Sequence, residues 1–210
     1  MLKLSQYFLR TFNPRFHAAL TRLVYRSSRV KIGRGFTADS VPRILIDADA
    51  NLEIGSNVEF RRSIEIRVHG TAKITISDGV RIDRGVRILA ANNAHIRIGP
   101  AARIGLYSVL NGGDSITIGS KALISGFVYL QTSMHEHRAS DVPIQDQGYA
   151  HAPVTLGDDT WVGTHVVIMP GITVAEGAVV GSNAVVTSNV EAHAVVAGVP
   201  AREIRQRVGK

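Results

Sequence analysis

The chain has 210 residues, no cysteine, a net charge of +7 and a pI near 10.1. The missing cysteine excludes disulfides and thiolate chemistry, and the length suits one domain. No apolar run reaches membrane-span length, and the first ten residues lack a secretion signal's apolar stretch, so a cytoplasmic protein is expected.

Residues 1–30 read as an N-terminal helical cap. Leu4, Phe8 and Phe12 share one helical face. Asn13-Pro14 reads as N-cap and first helical position. Phe16, Leu20, Leu23 and Val24 then form a second apolar stripe. The segment carries six Lys/Arg and no acid. Such charge is usually a solvated face, but it also suits anionic headgroups at the inner membrane surface or an anionic sugar. Nucleic acid is not expected, because no binding motif accompanies the charge.

From residue 31 the chain is repetitive. Apolar residues recur in triplets six apart: Ile32, Ala38, Ile44; Ile54, Phe60, Ile66; Ile76, Ile82, Ile88; Ile98, Ile104, Leu110; Ile118, Ile124, Leu130. Leu156, Val162, Ile168, Val174, Val180 and Val186 complete 21 apolar positions. Longer steps of 10, 10, 10, 8 and 26 follow the first five triplets. Glycine or serine often comes next, as at Gly33, Gly55, Ser77, Gly99 and Gly157. A period of six does not suit an α-helix, whose apolar stripe recurs near 3.6. It suits a three-sided, all-β solenoid of about seven coils, with short parallel strands and tight corners. Every long step follows a third hexad, so the insertions should stack at one corner. Two short helices over the open end would cover backbone exposed by the first coil.

Arg61, Arg62, Arg67, Arg81, Arg84 and Arg87 lie between apolar positions and should point outward. They read as a solvated face that an acidic acceptor could also use. Asn92, Asn93 and Asn111-Gly112-Gly113-Asp114 fall in the corner insertions and should stack near the longest one. That excursion, residues 131–153, begins Gln131-Thr132-Ser133-Met134-His135-Glu136-His137. A regular scaffold that tolerates one long excursion is expected to use it for function. Residues 31–200 thus form one solenoid domain, and 201–210 a short C-terminal helix opened by Pro200.

The hexads resemble those of the hexapeptide-repeat acyltransferases, which implies a left-handed parallel β-helix. Thr132-Ser133-Met134-His135 resembles the Thr-x-x-His segment of galactoside, maltose and capsular-sugar O-acetyltransferases. Pro153-Val154-Thr155-Leu156-Gly157-Asp158-Asp159-Thr160-Trp161-Val162-Gly163, Pro170-Gly171-Ile172 and Ala197-Gly198-Val199-Pro200-Ala201-Arg202 resemble their C-terminal signature. The resemblance implies a homotrimer, with acetyl-CoA bound between subunits and His135 as general base. It places Trp161, Gly163, Thr164, Ser182, Thr187, Arg202 and Arg205 along the coenzyme. Asn111 and His137 are candidate contacts to a sugar or polysaccharide-precursor acceptor. Ser188 stands where many relatives have lysine, and Gly105 where galactoside enzymes have an acceptor-binding asparagine. The galactoside substrate should therefore not be copied.

Acetyl transfer from a thioester needs a base, oriented substrates and donors for the oxyanion. Histidine, which titrates near neutrality, suits the base, and direct attack is expected over an acyl-enzyme. No metal is expected. Alternatives are N-acetylation of an aminosugar nucleotide, a non-catalytic solenoid, or a zinc site drawing on His135, His137 and either His151 or His165.

Overall fold

The computed structural model describes residues 13–208. Three sheets wind around one apolar core, their solenoid strands parallel. The first face runs from Val30–Ile32 to Thr173–Val174 and has seven strands. The third runs from Arg43–Ile46 to Val185–Val186 and also has seven. The second begins at Thr37–Ala38 and gains two further strands at its far end. This is the arrangement of a left-handed β-helix of about seven coils. Ile54, Ile76, Ile98, Ile118 and Leu156 form one inner column, each in parallel register with the next. Of the 21 sixfold positions only Ile32, in the first coil, is not buried.

The steps of ten do more than turn a corner. They lengthen the flanking strands to four residues, as in Glu65–Val68 and Lys73–Ile76. Leu52, Ile74 and Ile96 thereby add a buried column on the first face, and Val68 and Ala90 one on the third. Coil partners are 22 residues apart in Ile54↔Ile76 but 18 apart in Leu156↔Val174. The solenoid therefore narrows, starting before the excursion, where Ile98↔Ile118 are 20 apart. Gly112 lies where the wide and narrow coils meet. A Cβ there would lie 2.9 Å from both Ile96 Cδ1 and the Leu89 carbonyl, so only glycine fits without displacement.

Helix α1, Asn13–Val24, packs against Thr37–Ala38 at the open end. It buries Pro14, Ala18 and Thr21. The predicted stripe is corrected: Phe16, Leu23 and Val24 are exposed. Small residues let the helix approach the first coil closely, and larger ones would hold it away. Capping is also polar. Arg22 donates to the Ile32 and Gly33 carbonyls at 2.7 and 2.5 Å. The Tyr25 hydroxyl donates to the Pro42 carbonyl and accepts from the Ile44 N–H, at 2.9 and 3.1 Å. Edge groups that have no preceding coil are satisfied in this way. The expected helix through Leu4, Phe8 and Phe12 lies outside the described residues.

The other end differs from expectation. Residues 202–206 form a strand, Arg202–Gln206, and not a helix. It pairs antiparallel with Ala194–Ala197 and covers the edge of the second face. Its N–H and C=O groups have ladder partners ready on that edge, which an isolated five-residue helix would lack. Arg207 anchors the return, donating to the Gly177 carbonyl at 2.7 Å and to Asp159 at 3.1 Å.

Candidate active site

The excursion is pinned at its root. Thr132 is fully buried, and its hydroxyl donates to the Asn111 carbonyl at 2.8 Å and accepts from Asp114 N–H at 3.0 Å. The preceding corner insertion thus stacks under it, as its spacing predicted. Beyond Thr132, Ser133–His135 pairs antiparallel with Tyr149–His151. The His135 ring lies against the Tyr149 ring, centroids 4.1 Å apart. Ser133 Oγ and His151 Nδ1 are 2.8 Å apart. Gly113 makes room for this pair, since a Cβ there would collide with both. Farther out, the Gln147 amide clasps the Ala139 and Val142 carbonyls, each at 2.8 Å. The loop therefore has internal structure, yet none of residues 133–151 is buried. His135 is exposed, and His137 Nδ1 lies 3.0 Å from the His135 carbonyl.

Asn111 is half-buried on the third face, and its amide donates to the Tyr129 hydroxyl at 3.0 Å. In the next coil Gln131 takes the register partner position and donates to the Ser133 carbonyl at 2.6 Å. Asn111, Tyr129, Gln131 and the excursion root thus form one continuous patch, and His135 stands two residues beyond it.

The residues expected along the coenzyme lie elsewhere. Trp161 is 49% exposed on the outside of the second face. It belongs to a column running Glu59, Arg81, Arg103, Leu123, Trp161 and on to Val179 in parallel register. Gly163 is buried, and a Cβ there would lie 2.6 Å from Ser182 N, so the two turns touch. Gly163 N–H donates to Val180 in the ladder at 2.8 Å, so it is not free for an oxyanion. Thr164 N–H has no acceptor among the described residues. Thr164 Oγ1 donates to the Gly126 carbonyl at 2.8 Å and lies 3.0 Å from His165 Nδ1. Ser182, Thr187, Arg202 and Arg205 are exposed, the arginines on the last strand.

Within one chain these groups do not meet His135. Thr164 sits at the corner between the second and third faces. The excursion leaves from the far end of the third, past Tyr129–Gln131. Tyr107, Phe127 and His165 stack along the Thr164 corner, with centroids 5.5 and 4.8 Å apart. Sequence reasoning missed this ladder, although each residue follows a sixfold apolar position by three. It also missed Tyr149 and the Ser133–His151 pair, which depend on a hairpin register inside the excursion. Among the described residues no three His, Asp or Glu are grouped to hold a metal ion.

The family model described as bacterial transferase hexapeptide (six repeats) matches residues 153–188. The putative colanic acid biosynthesis acetyltransferase WcaF of Escherichia coli is 37% identical over 74% of this chain and 70% of that protein. The galactoside O-acetyltransferase of Escherichia coli is 30% identical over 72% of this chain and 70% of that protein. The chain belongs to the hexapeptide-repeat acyltransferase family. It spans about half the length of other relatives: a probable acetyltransferase of Mycobacterium tuberculosis is 31% identical over 68% of this chain but 48% of that protein. A mutant of AntD, an N-acyltransferase from Bacillus cereus solved with dTDP and coenzyme A, shares the fold. Its TM-score is 0.61 at 18% identity, covering 91% of this chain and 89% of that one.

Proposed function

We propose that this chain is an acetyl-CoA-dependent O-acetyltransferase acting on a hydroxyl of a sugar or polysaccharide precursor. The observation that carries the reading is His135. It stands exposed on a hairpin pinned by a buried threonine, in the one excursion from an otherwise closed scaffold. His135 takes the acceptor hydroxyl proton as that oxygen attacks the thioester carbonyl, and gives it to the sulfur as the C–S bond breaks. Thr164 N–H, lacking an acceptor, is the donor for the oxyanion. Trp161 and Ser182 flank the coenzyme arm, Thr187 lies toward its nucleotide, and Arg202 and Arg205 offer charge to its phosphates. Asn111 and His137 face the acceptor.

His135 and Thr164 leave different corners of one chain, so the site is completed by a neighbouring subunit in a homotrimer. Sedimentation should give about three times the 22.6 kDa chain mass, and a concentration-independent monomer would reject the shared site. The reading places the protein in the cytoplasm, with the basic start of the chain near the inner membrane surface. No described helix is long and apolar enough to cross a membrane.

The test is mass analysis of products from purified protein, acetyl-CoA and a panel of neutral, acidic and amino sugars. A product heavier by one acetyl group on an oxygen supports the proposal. Acetylation confined to amino groups would replace it with N-acetyl transfer to an aminosugar.

A further inference from the structure

The outward columns of the solenoid balance their charges in most places. On the third face Arg43, Glu65 and Arg87 follow one another, with Glu65 3.3 Å from Arg43 and 3.1 Å from Arg87. On the first, Glu53 lies 3.4 Å from Lys31 and 3.3 Å from Lys73. The second face breaks the pattern. Arg81 and Arg103 are direct register partners on adjacent strands, about 4.8 Å apart. Glu59, one coil below, pairs with Arg81 at 3.1 Å. Arg103 has no ion partner among the described residues, and the next outward residues are Leu123 and Trp161. Like charges directly opposite in a sheet are destabilising. Arg62 and Arg84, in turns one coil apart at the adjoining corner, also have no ion partner among the described residues, and Asp39 and Asp83 lie beside them.

These arginines line two adjoining depressions. One, of about 350 Å³, lies over Arg81 and Arg103, with Leu123 and Ser125 at one side and Glu59 and Asp83 also in its lining. The other, of about 370 Å³, lies over Arg62 and Arg84 and shares Arg61 and Asp83 with the first. The outer column is thus cationic at Arg81 and Arg103 and apolar at Leu123 and Trp161. Arg103 is two coil steps below Trp161, about 10 Å at the strand spacing.

We infer that Arg103, backed by Arg81, binds an anionic oxygen group of the acceptor, making the acceptor a saccharide that carries a carboxylate or a phosphate. The inference rests on the acetyl-transfer reading for the location of the reacting hydroxyl. Under that reading Trp161 flanks the coenzyme arm, so the acceptor's charge lies below that arm, about 10 Å from Trp161 at the strand spacing. The planar guanidinium fork matches either oxyanion. The arginine repulsion, a cost in the free protein, is relieved by the bound anion.

The test compares acetylation of a uronate-containing oligosaccharide, its carboxyl-reduced neutral counterpart and a sugar nucleotide, at low salt. Wild type should show at least tenfold higher kcat/KM for one of the charged acceptors, and which one distinguishes carboxylate from phosphate. Arg103→Glu should lower that charged-over-neutral ratio about ten- to hundredfold, and Arg103→Gln less. Neither should change the KM for acetyl-CoA. Arg97→Gln, an exposed charge on the first face, should leave the ratio unchanged. Equal use of charged and neutral acceptors by wild type, or an unchanged ratio in Arg103→Glu, would overturn the site. Titration of the same saccharides without acetyl-CoA separates the two readings. If no acceptor is acetylated, the transferase reading fails. The anion site then stands on charge-selective binding lost in Arg103→Glu, and falls if that binding is absent.

Discussion

The coil from Ile98 to Leu110 and the excursion from Ser133 to His151, one coil apart along the chain, have opposite physical habits. In the coil Ile98, Ala102, Ile104, Ser108 and Leu110 are all at most 1% exposed, and each strand pairs with strands above and below. In the excursion nothing is buried, and Val142, Ile144 and Tyr149 offer apolar surface to solvent. Stability comes from coils that repeat, and the proposed function puts the reactivity in the segment that does not. A solenoid tolerates this because each coil is held by its two neighbours, so a loop leaving one corner disturbs little else.

The sharpest way to separate the two regions is His135→Ala. Its kcat should fall by about 10² to 10⁴, the usual loss for a general base. The thermal midpoint should not move. A large drop in midpoint would mean that the excursion contributes to the fold, and near-normal turnover would remove His135 from the chemistry.

The converse change is Ile98→Ala. It empties a fully buried position and should cost about 2 to 5 kcal/mol of stability. Denaturant unfolding gives the loss, and turnover per folded molecule should stay close to wild type. An unchanged midpoint would contradict the close packing of the column.

Thr132→Val lies at the boundary. It removes a buried hydroxyl that satisfies both Asn111 and Asp114, and should cost about 1 to 3 kcal/mol. The loss should appear as faster amide exchange across residues 133–151 and lower kcat, with the coils still protected. Uniform loss of protection would show that the threonine belongs to the core instead.

Smaller still is the effect of removing Arg202 and Arg205 together. The KM for acetyl-CoA should rise about tenfold, and acetyl-pantetheine should be used alike by both proteins, since exposed arginines give modest charge contacts. Unchanged discrimination between the two donors would leave these arginines as edge charges only.

The smallest effect is one of pH and belongs to the coils. Burial, then the positive charges of Arg97 and Lys73, hold the His95 imidazole below its usual range. Its neutral form is therefore favoured in the fold. The associated stability is present above about pH 6.5 and declines as pH falls toward the lowered value. His95→Gln should flatten the thermal midpoint against pH on the acid side, and an identical slope would mean that other groups set it.

The sequence by itself determined the coils, because a buried column needs one apolar residue in six and each corner needs a compact turn. Those demands are local, so Ile54, Ile76, Ile98, Ile118 and Leu156 could be aligned by counting. Counting also located the corner of every insertion, while the resemblance to a Thr-x-x-His segment pointed to His135 within the longest. What it could not supply were contacts set by pairing between segments. The antiparallel return of Arg202–Gln206 depends on an open sheet edge, and the exposure of Phe16, Leu23 and Val24 on how closely a helix approaches the first coil. The Tyr149 ring beside His135 likewise arises from a hairpin register that brings distant residues together. Hydrophobic period fixes which way a side chain faces, whereas tertiary structure decides what it faces.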